Sequence, residues 1–337
     1  MIRIGIICPS EIAFRRFLPS LKKAEEFEYV GVAIASKEEF VGATDDILSK
    51  ERQKAQNFVD NYGGKIFEGY RTLISSDEVD AIYLPLPPAL HFKWAKQALE
   101  FGKHVLVEKP STCSLADTQK LVTLADSMGV ALHENYMFVF HKQIQAVKDI
   151  VQSGEIGDVR LYRILFGFPR RAANDFRYNK TLGGGALLDA GGYTMKLAAK
   201  LLDGEVRITA ANVGYLDEFE VDMYGSATVV NEKGSVAQVA FGMDNDYRCD
   251  LEIWGSMGTL TTGRILTAPD GFVPTYTIKK NQDIQTGVLP ADDAFLKSIK
   301  RFGTCVIDNA MREENYQLLL QQERMVEEFK RLCNMND

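Results

Sequence analysis

The chain begins with the stretch that decides its fold, Ile2-Arg3-Ile4-Gly5-Ile6-Ile7-Cys8-Pro9-Ser10-Glu11-Ile12-Ala13. Its apolar run, Ile2–Ile7, predicts a strand buried on both faces, as in a parallel sheet, followed by a turn of small residues. Helical patterns separate this run from further short apolar runs. The runs are Val30–Ala35, Ala81–Leu84, His104–Val107 and Val130–His133, and the helical patterns lie around Phe17–Phe27, Asp46–Tyr62, His91–Phe101 and Ser114–Met128. This alternation predicts right-handed crossovers and a doubly wound parallel sheet, which binds ligands beyond the carboxyl ends of its strands.

The pattern changes near residue 140. Segments that alternate apolar and polar residues predict an antiparallel sheet with one covered face. They are Val159–Phe166, Val206–Tyr215, Ser226–Val230, Ser235–Phe241 and Cys249–Trp254, with helices over Gln143–Gln152 and Ala186–Leu202. A length of 337 residues suggests two domains at roughly 150 residues each. We therefore expect a nucleotide-binding domain over 1–135 and an α+β domain with a large, open, mostly antiparallel sheet over 136–312, for substrate binding and oligomerisation. A last helix, about 313–333, can pack back on the first domain.

Composition excludes several classes of protein. With 46% apolar and 25% charged residues, wholesale disorder is excluded. A net charge of −7 gives no electrostatic reason to expect nucleic acid or an anionic membrane as partner. Charged residues interrupt every apolar stretch before the ~18 residues of a spanning helix. Five scattered cysteines without a C-x-x-C pair suit a reducing cytoplasm, and four histidines without ligand spacing make a metal site unexpected.

The turn after the first strand is a candidate phosphate-binding loop. In a dinucleotide fold this turn lets backbone N–H groups approach a pyrophosphate at a helix N-terminus. Cys8 and Ser10 occupy positions where glycine is expected, and neither tolerates positive φ as glycine does. Taken alone, the motif also fits a plain strand–turn–helix. Its candidate cofactor-binding residues are Cys8, Ser10, Glu11 and Ile12.

The end of the second strand bears on the choice of cofactor. An Asp or Glu here usually holds a free ribose 2′-hydroxyl, but this chain has Ser36 and Lys37. A hydroxyl and a cation suit a 2′-phosphate, so we expect NADP(H) to be preferred, with NAD(H) still possible. The alternative is that Lys37 is simply a solvated residue at the end of a loop.

Two further segments carry candidate catalytic residues. Glu108-Lys109-Pro110 ends a buried strand, which directs Lys109 to the ligand crevice; Glu108 either binds the cofactor ribose or forms a solvated ion pair. In Gly183–Tyr193, Asp189 and Tyr193 are four residues apart and share a helix face. Alternatively, the first is a carboxylate at a helix start and the second a core edge. Glycines at 191 and 192 cost about 1 kcal/mol each in a helix, so a ligand or a strand should approach there.

With these motifs the chain resembles the Gfo/Idh/MocA family, named for glucose–fructose oxidoreductase, inositol dehydrogenase and a rhizopine-catabolism protein. The resemblance runs from the first turn to the last helix and implies an N-terminal Rossmann domain. Within the family it is most similar to NADPH-dependent 3-ketoreductases of nucleotide-linked deoxysugars. The similar stretches are Ile12–Arg16, Ala33–Lys37, Glu134–Phe138 and Phe176–Tyr178.

The resemblance implies roles for individual residues. Lys109 positions nicotinamide and substrate and assists proton transfer, Asp189 lies near the substrate, and Tyr193 stands where most members have an acid/base histidine. The glycine positions at Cys8 and Ser10 depart from the family pattern, which bears on tight cofactor binding. The other residues expected at the cofactor or substrate are Leu84, Pro85, Leu86, His91, Glu108, Asn135, Arg177 and Tyr178.

The expected reaction is hydride transfer between NADP(H) and a sugar or nucleotide-sugar carbonyl. Tyr193, with a reference pKa of about 10, is protonated at neutral pH and can act as acid, and a nearby ammonium would lower that pKa. Two alternatives remain: a sugar or trans-dihydrodiol dehydrogenase working oxidatively, and a non-catalytic NADP-binding regulator. The resemblance also implies a homodimer or homotetramer built through the second domain's sheet. Arg170, Arg171 and Arg177 either clamp a diphosphate or are solvated.

Overall fold

The computed structural model describes residues 1–40 and 42–335, and these form two compact units. The first unit, Met1–Asn135 with Phe295–Leu320, is built on a six-stranded parallel sheet of order β3-β2-β1-β4-β5-β6. Its strands are β1 (Ile2–Ile7), β2 (Phe27–Ile34), β3 (Lys65–Glu68), β4 (Ala81–Leu84), β5 (His104–Val107) and β6 (Leu132–Glu134). Its connecting helices are α1 (Leu18–Leu21), α2 (Asp45–Tyr62), α3 (Tyr70–Ile74), α4 (Pro88–Glu100) and α5 (Leu115–Ser127).

Both faces of this sheet are buried, which confirms the doubly wound architecture. Alternate residues of one strand enter different cores: Ile4 and Ile6 pack with the helices on one side, and Ile7 packs on the other. All three side chains are fully buried. Each contributes about 1.5–3 kcal/mol of transfer free energy, so continuous apolar strands are what hold the layers together.

The structure corrects the sequence analysis in two places here. The helix expected around Phe17–Phe27 is wrong in its extent: a π turn over Ala13–Phe17 and α1 come first, and Phe27 already begins β2. Strand β3 and helix α3 were not predicted. The edge strand β3 is only four residues long and buries one of them, Phe67, so its sequence has no readable period.

The second unit, Tyr136–Ala294 with 321–335, contains the expected large, mostly antiparallel sheet. Its order is β14-β13-β12-β11-β7-β10-β9-β8, in which only the β7–β10 pair is parallel. The strands are β7 (Val159–Gly167), β8 (Val206–Tyr215), β9 (Asp222–Asn231), β10 (Val236–Gly242), β11 (Arg248–Gly255), β12 (Thr259–Gly263), β13 (Thr275–Lys280) and β14 (Asp283–Val288), and the helices are α6 (Lys142–Gln152) and α7 (Gly192–Leu202).

One face of this sheet forms the core of the second unit. Val229, Val239 and Ile164 are buried there with the apolar side of α7. The opposite face carries exposed polar residues, among them Ser226 and Gln238. This alternation along each strand is the reason why the sequence pattern was readable.

Two C-terminal helices, α8 (Ala294–Ile307) and α9 (Asn309–Leu332), complete the structure. Helix α8 was not predicted. Segment Phe295–Leu320 belongs to the first unit, not to the domain over 136–312, because Ile299, Phe302 and Cys305 are buried in the first unit's core. Across residues 1–40 and 42–335, helices long and apolar enough to span a bilayer do not occur.

Candidate active site

The turn after β1 adopts a glycine-like backbone although it carries Cys8. Cys8 has φ +74°, in the left-handed region. Helical residues begin at Glu11, so the amides of Glu11 and Ile12 lie in a first turn without intrahelical acceptors. Ser10 accepts a hydrogen bond from the backbone N–H of Ala13 (3.3 Å). The turn therefore keeps the conformation that the expected phosphate loop needs.

The loop after β2 is organised by Glu39, which the sequence analysis missed. Its carboxylate accepts hydrogen bonds from the backbone N–H groups of Ser36 (2.9 Å), Tyr70 (2.8 Å) and Arg71 (2.8 Å), and so caps α3. In return its own N–H donates to the Ser36 hydroxyl (3.3 Å). The S-x-x-E spacing is the signal that reveals such a reciprocal cap. Lys37 is exposed and pairs with Asp45 (3.1 Å).

Glu108 lies at the carboxyl end of β5 and is held from three directions. Its Oε1 accepts hydrogen bonds from the Tyr83 hydroxyl and the Asn135 amide, both at 2.6 Å, and the backbone N–H of Lys109 also donates to its carboxylate. Burial raises the pKa of Glu108, and these three donors oppose the rise. The structure thus brings together two predicted residues, Glu108 and Asn135, and makes a solvated ion pair a poor description of Glu108.

His91 is fully buried beneath the same strand ends. Its ring nitrogens lie 2.7 Å from the carbonyl oxygens of Leu86 and Pro110, and burial lowers its pKa to about 4. Pro110 follows a cis peptide bond from Lys109. His91 therefore shapes the loops after β4 and β5 through their backbones. Leu84 and Pro85 are buried at the end of β4, where the Leu84 carbonyl accepts from the Glu108 N–H (3.0 Å).

In the second unit, Tyr193 is the second residue of α7, which directly follows a π turn over Leu187–Gly191. Such single π turns interrupt the α-helical hydrogen bonds and occur frequently at functional sites. The Tyr193 ring is only 9% exposed and packs against the rings of Tyr136, Phe138 and Phe166 at centroid distances of 5.1, 5.6 and 5.2 Å. Three aromatic neighbours fix the direction of the phenol.

The glycines before Tyr193 are explained by this packing. A Cβ at Gly192 would lie 2.0 Å from the Tyr136 hydroxyl, and one at Gly191 would lie 3.0 Å from the Phe241 ring. The close approach expected at these positions is therefore made by side chains of the same unit.

Asp189 is held by an arginine. Arg177 donates from Nε to Asp189 (2.6 Å) and from a terminal nitrogen to Asp175 (3.1 Å). Burial lowers the pKa of Arg177, but the two carboxylates outweigh it and the net pKa is raised. The predicted substrate residues Arg177 and Asp189 are thus one ion pair, and its geometry fixes where the Asp189 carboxylate lies.

Other residues of the loop that carries Arg170, Arg171 and Arg177 are also held by specific contacts. Arg170 pairs with Asp244 (2.8 Å) and Glu218 (3.2 Å). The Tyr178 hydroxyl accepts from the backbone N–H of Arg171 (2.7 Å), whose guanidinium lies 5.1 Å from the Phe168 ring. These contacts give the loop one defined conformation.

A residue that the sequence did not flag anchors the helix of Asp189 and Tyr193. Asp222, at the start of β9, accepts from the backbone N–H groups of Leu187 (2.6 Å) and Ala186. A Cβ at Gly185 would lie 2.2 Å from its Oδ1, so glycine makes room for the carboxylate. Burial raises the pKa of Asp222 to about 6. An acidic residue at the start of a strand, such as Asp222, matches no sequence motif. Its contact with this helix is therefore visible only in the folded structure.

Across the described 1–40 and 42–335, groups of three or more His, Cys, Asp or Glu side chains placed to hold a metal ion are absent.

Comparison with known proteins agrees with this architecture. Residues 2–136 match the model for an oxidoreductase family with an NAD-binding Rossmann fold, and residues 144–261 match the GFO/IDH/MocA C-terminal domain. A dTDP-3,4-didehydro-2,6-dideoxy-alpha-D-glucose 3-reductase of Saccharopolyspora spinosa is 35% identical over 332 residues, 97% of this chain and 96% of that protein. The Streptomyces violaceoruber reductase of the same name is 38% identical over 310 residues, covering 90% and 86%.

A solved structure is similarly close. The 3-ketoreductase from Actinomadura kijaniata, in complex with NADP and TDP-benzene, superposes with a TM-score of 0.89 at 34% identity and covers 98% of both chains. With a parallel nucleotide-binding sheet, a mixed eight-stranded sheet and relatives that match along nearly the whole length, this chain belongs to the Gfo/Idh/MocA family of oxidoreductases.

Proposed function

We propose that this oxidoreductase uses NADPH to reduce the 3-keto group of a dTDP-linked deoxysugar. The observation that carries the proposal is the end-to-end similarity to reductases of that name, at 31–38% identity in four species.

The first unit fits a dinucleotide. The positive φ of Cys8 and the helix start at Glu11 supply the turn and the amides that a pyrophosphate requires. The Ser36 hydroxyl and the Lys37 ammonium suit a 2′-phosphate, and no carboxylate stands at either position. We infer that these residues hold NADP(H), with Glu108 and Asn135 nearer the nicotinamide ribose and His91 supporting both loops.

Tyr193 and Lys109 are proposed as the catalytic residues. NADPH, when bound, supplies the hydride for the substrate carbon. Tyr193 donates the proton to the carbonyl oxygen, and the Lys109 ammonium stabilises the tyrosinate that remains. The solved forms of the A. kijaniata enzyme include one with a tyrosine changed to phenylalanine and one with a lysine changed to alanine. Those positions are 84 residues apart, the same separation as between Lys109 and Tyr193.

Asp189, Arg177 and Tyr178 are proposed to bind the sugar. Arg177 holds the Asp189 carboxylate in one orientation, and a carboxylate accepts hydrogen bonds of the kind that sugar hydroxyls donate. Arg177 also positions Asp189 through their ion pair.

The test measures turnover of a dTDP-linked 3-keto-deoxysugar with NADPH and with NADH. We expect turnover with NADPH, and a loss of at least about 100-fold in kcat for Tyr193→Phe and for Lys109→Ala. Tyr62→Phe, which removes a phenol hydroxyl that donates to the Phe14 carbonyl, is the matched control and should keep kcat within about threefold. Wild-type turnover in both catalytic variants would overturn the assignment.

A second candidate function has support from other relatives. An NADP(+)-dependent D-xylose 1-dehydrogenase of Haloferax volcanii is 26% identical, and a trans-1,2-dihydrobenzene-1,2-diol dehydrogenase of Xenopus tropicalis is 30% identical over 52% of this chain. Oxidation of free aldoses or dihydrodiols with NADP⁺ would use the same phenol as a base. Faster turnover of these alcohols than of the keto-sugar would favour that function, and tight NADPH binding without turnover of any would favour a regulator.

We further propose a cytoplasmic homodimer or homotetramer. The five cysteines all lie among the described residues and form no disulfide bond there, as is usual in reducing compartments. The exposed face of the eight-stranded sheet is the surface on which a second copy would pack.

A further inference from the structure

A buried chain of hydrogen bonds runs through the first unit to Glu108. His133 on β6 lies with Nε2 3.1 Å from the Ser298 hydroxyl of α8, and Ser298 donates to Asn135 Oδ1 at 2.8 Å. Asn135 in turn donates from Nδ2 to Glu108 Oε1 at 2.6 Å. His133 and Asn135 are 1% exposed and Ser298 is 0% exposed, so this chain is shielded from bulk solvent.

The far end of the chain is closed by a second amide. His133 Nδ1 lies 2.9 Å from Oδ1 of Asn315 on α9, and the Nδ2 group of Asn315 donates to the Leu132 carbonyl (2.7 Å). Asn315 therefore presents only an acceptor to the imidazole, because turning its amide over would place Oδ1 against the Leu132 carbonyl oxygen.

The donor and the acceptor of each hydrogen bond in this chain can be assigned by starting from the Glu108 carboxylate. The Glu108 carboxylate accepts from Asn135, so Asn135 Oδ1 must accept from Ser298. Ser298 has a single hydroxyl proton and donates it to Asn135. Toward His133 Nε2, the Ser298 oxygen can therefore act only as an acceptor. His133 thus faces acceptors with both nitrogens, and only the doubly protonated imidazolium donates to both. His91 also lies between two acceptors, but the nearby Lys109 ammonium disfavours its imidazolium, whereas His133 is linked to the Glu108 carboxylate.

The reverse orientation leads to the same number of protons. If Asn135 were turned over, its Oδ1 would face Glu108, which must then carry the proton; Ser298 would donate to a neutral His133. If both Glu108 and His133 were protonated, two donors would face each other at some point of the chain. If neither were protonated, two acceptors would face each other. The chain accommodates one proton in either orientation.

We propose that Glu108 and His133 share one proton through Asn135 and Ser298, that the proton resides on His133, and that His133 and Ser298 are positioning residues for an ionised Glu108. The Lys109 N–H and the Tyr83 hydroxyl, which both donate to Glu108, favour the ionised carboxylate over its protonated form. The imidazolium supplies the buried positive charge that balances it, and Lys109 is the other cation beside it.

The consequence for cofactor binding rests on the proposed function. If Glu108 binds the nicotinamide ribose as an acceptor, its charge and position depend on α8, which lies more than 160 residues further along the chain. Loss of Ser298 should then weaken NADPH binding more than it slows the chemical step.

The direct test needs neither substrate nor cofactor. In protein labelled with ¹⁵N-histidine, the four histidines are resolved and His133 is assigned by comparison with His133→Gln. At neutral pH both ring nitrogens of His133 should show the similar shifts of an imidazolium. A widely separated pair of shifts, the signature of a neutral ring, would overturn the proposal whatever the enzyme's substrate proves to be.

Variants on α8 supply the second readout. In Ser298→Ala the acceptor at Nε2 is gone, so the His133 ring should become neutral and the dissociation constant of NADPH should rise by about fivefold. Thr304→Ala, which removes another hydroxyl from the same helix, is the matched control and should change neither. An imidazolium that persists in Ser298→Ala would contradict the proposed chain; an unchanged NADPH affinity with the expected ring shifts would contradict only the role in cofactor binding.

Discussion

Cys8 is the residue at which sequence and backbone disagree most. Its φ of +74° is one that an L residue adopts at a cost of roughly 1–2 kcal/mol, yet its thiol is packed against the core and hydrogen-bonded to Tyr70. The backbone at this position has the left-handed conformation that glycine usually adopts, although the residue is a cysteine. Burial raises the pKa of this thiol to about 12, so it is uncharged at neutral pH and does not repel a phosphate.

The first prediction separates backbone strain from loss of the thiol. Cys8→Ala keeps the Cβ at positive φ, whereas Cys8→Gly removes it. We expect Cys8→Gly to be more stable than Cys8→Ala by roughly 1 kcal/mol in denaturant unfolding, since relief of strain exceeds the added flexibility of the unfolded chain. Equal stabilities, or a more stable alanine variant, would show that the φ at this position costs little.

The second prediction concerns Lys37 and the 2′-phosphate. Its ion pair with Asp45 is exposed on both sides, so removing it should scarcely alter stability. If Lys37 binds the 2′-phosphate, Lys37→Ala should raise the KM for NADPH by about tenfold and leave the KM for NADH within about twofold. Lys50→Ala removes a similarly exposed pair with Asp46 and serves as the control. A parallel rise in both KM values would point to a general disturbance of the loop.

At the residue scale, the sequence predicted which residues stand at the ends of the parallel strands, but it did not predict which side chains form hydrogen bonds with them. Glu108, Lys109 and Asn135 could be located because strand ends in a parallel sheet face the ligand crevice. The partners Tyr83 and Ser298 could not, because one lies inside a strand and the other on an unpredicted helix, with no spacing to connect them.

At the scale of elements, α7 and the π turn before it depend on a carboxylate in another element. Asp222 satisfies two N–H groups at the start of this helical segment, but it is buried and has a pKa of about 6. Because this folded-state pKa lies above the unfolded value of about 3.9, the folded protein binds more protons between the two values. Stability therefore falls as pH rises through this window and is constant above it.

The third prediction follows from this sign. The free energy of unfolding of the wild type, relative to that of Asp222→Asn, should decrease by roughly 3 kcal/mol between about pH 4 and about pH 6. Other carboxylates titrate alike in both proteins and cancel in the difference. Urea unfolding at a series of pH values measures it, and a difference independent of pH would mean that the Asp222 carboxyl is not perturbed.

The fourth prediction concerns the Arg177–Asp189 pair, whose side chains are 21% and 11% exposed. Removing Arg177 leaves a largely buried carboxylate without its main partner, so Arg177→Gln should destabilise the protein by about 2–3 kcal/mol. Adding Asp189→Asn should recover part of this loss, because only the Asp175 carboxylate then lacks the arginine. A double-mutant cycle by thermal unfolding measures the coupling, and additive effects would show that the pair is energetically unimportant.

Elements were predictable where burial imposes a period. The strands β1, β4 and β5 were predicted with their observed bounds because both faces are apolar. Strands β12–β14 were not predicted: five of the six residues of β14 are exposed, so its sequence carries no pattern of a buried face. The long-range assignment of α8 to the first unit depends on tertiary packing, which periodicity cannot report.

At the scale of the whole molecule, the two faces of the eight-stranded sheet differ in how they are covered. Its inner face packs on α7, while its outer face around Ala240 is a shallow depression lined by small or short side chains such as Ala210 and Ser226. Small side chains across several adjacent strands leave a surface flat enough for close packing of another sheet. If an identical copy covers it, one two-fold axis suffices and each chain buries the same strands.

The last prediction tests that surface. Ala240→Arg places a long cation at the middle of the outer face, beside Arg163, and should convert the oligomer to a 37.7 kDa monomer in size-exclusion chromatography with light scattering. Ser235→Arg adds the same charge in the exposed turn between β9 and β10 and should leave the oligomer intact. Because the substituted residue lies on the sheet face opposite α7, the monomer should keep its fold, which circular dichroism can verify. A wild-type protein that already elutes as a monomer would exclude assembly through this face.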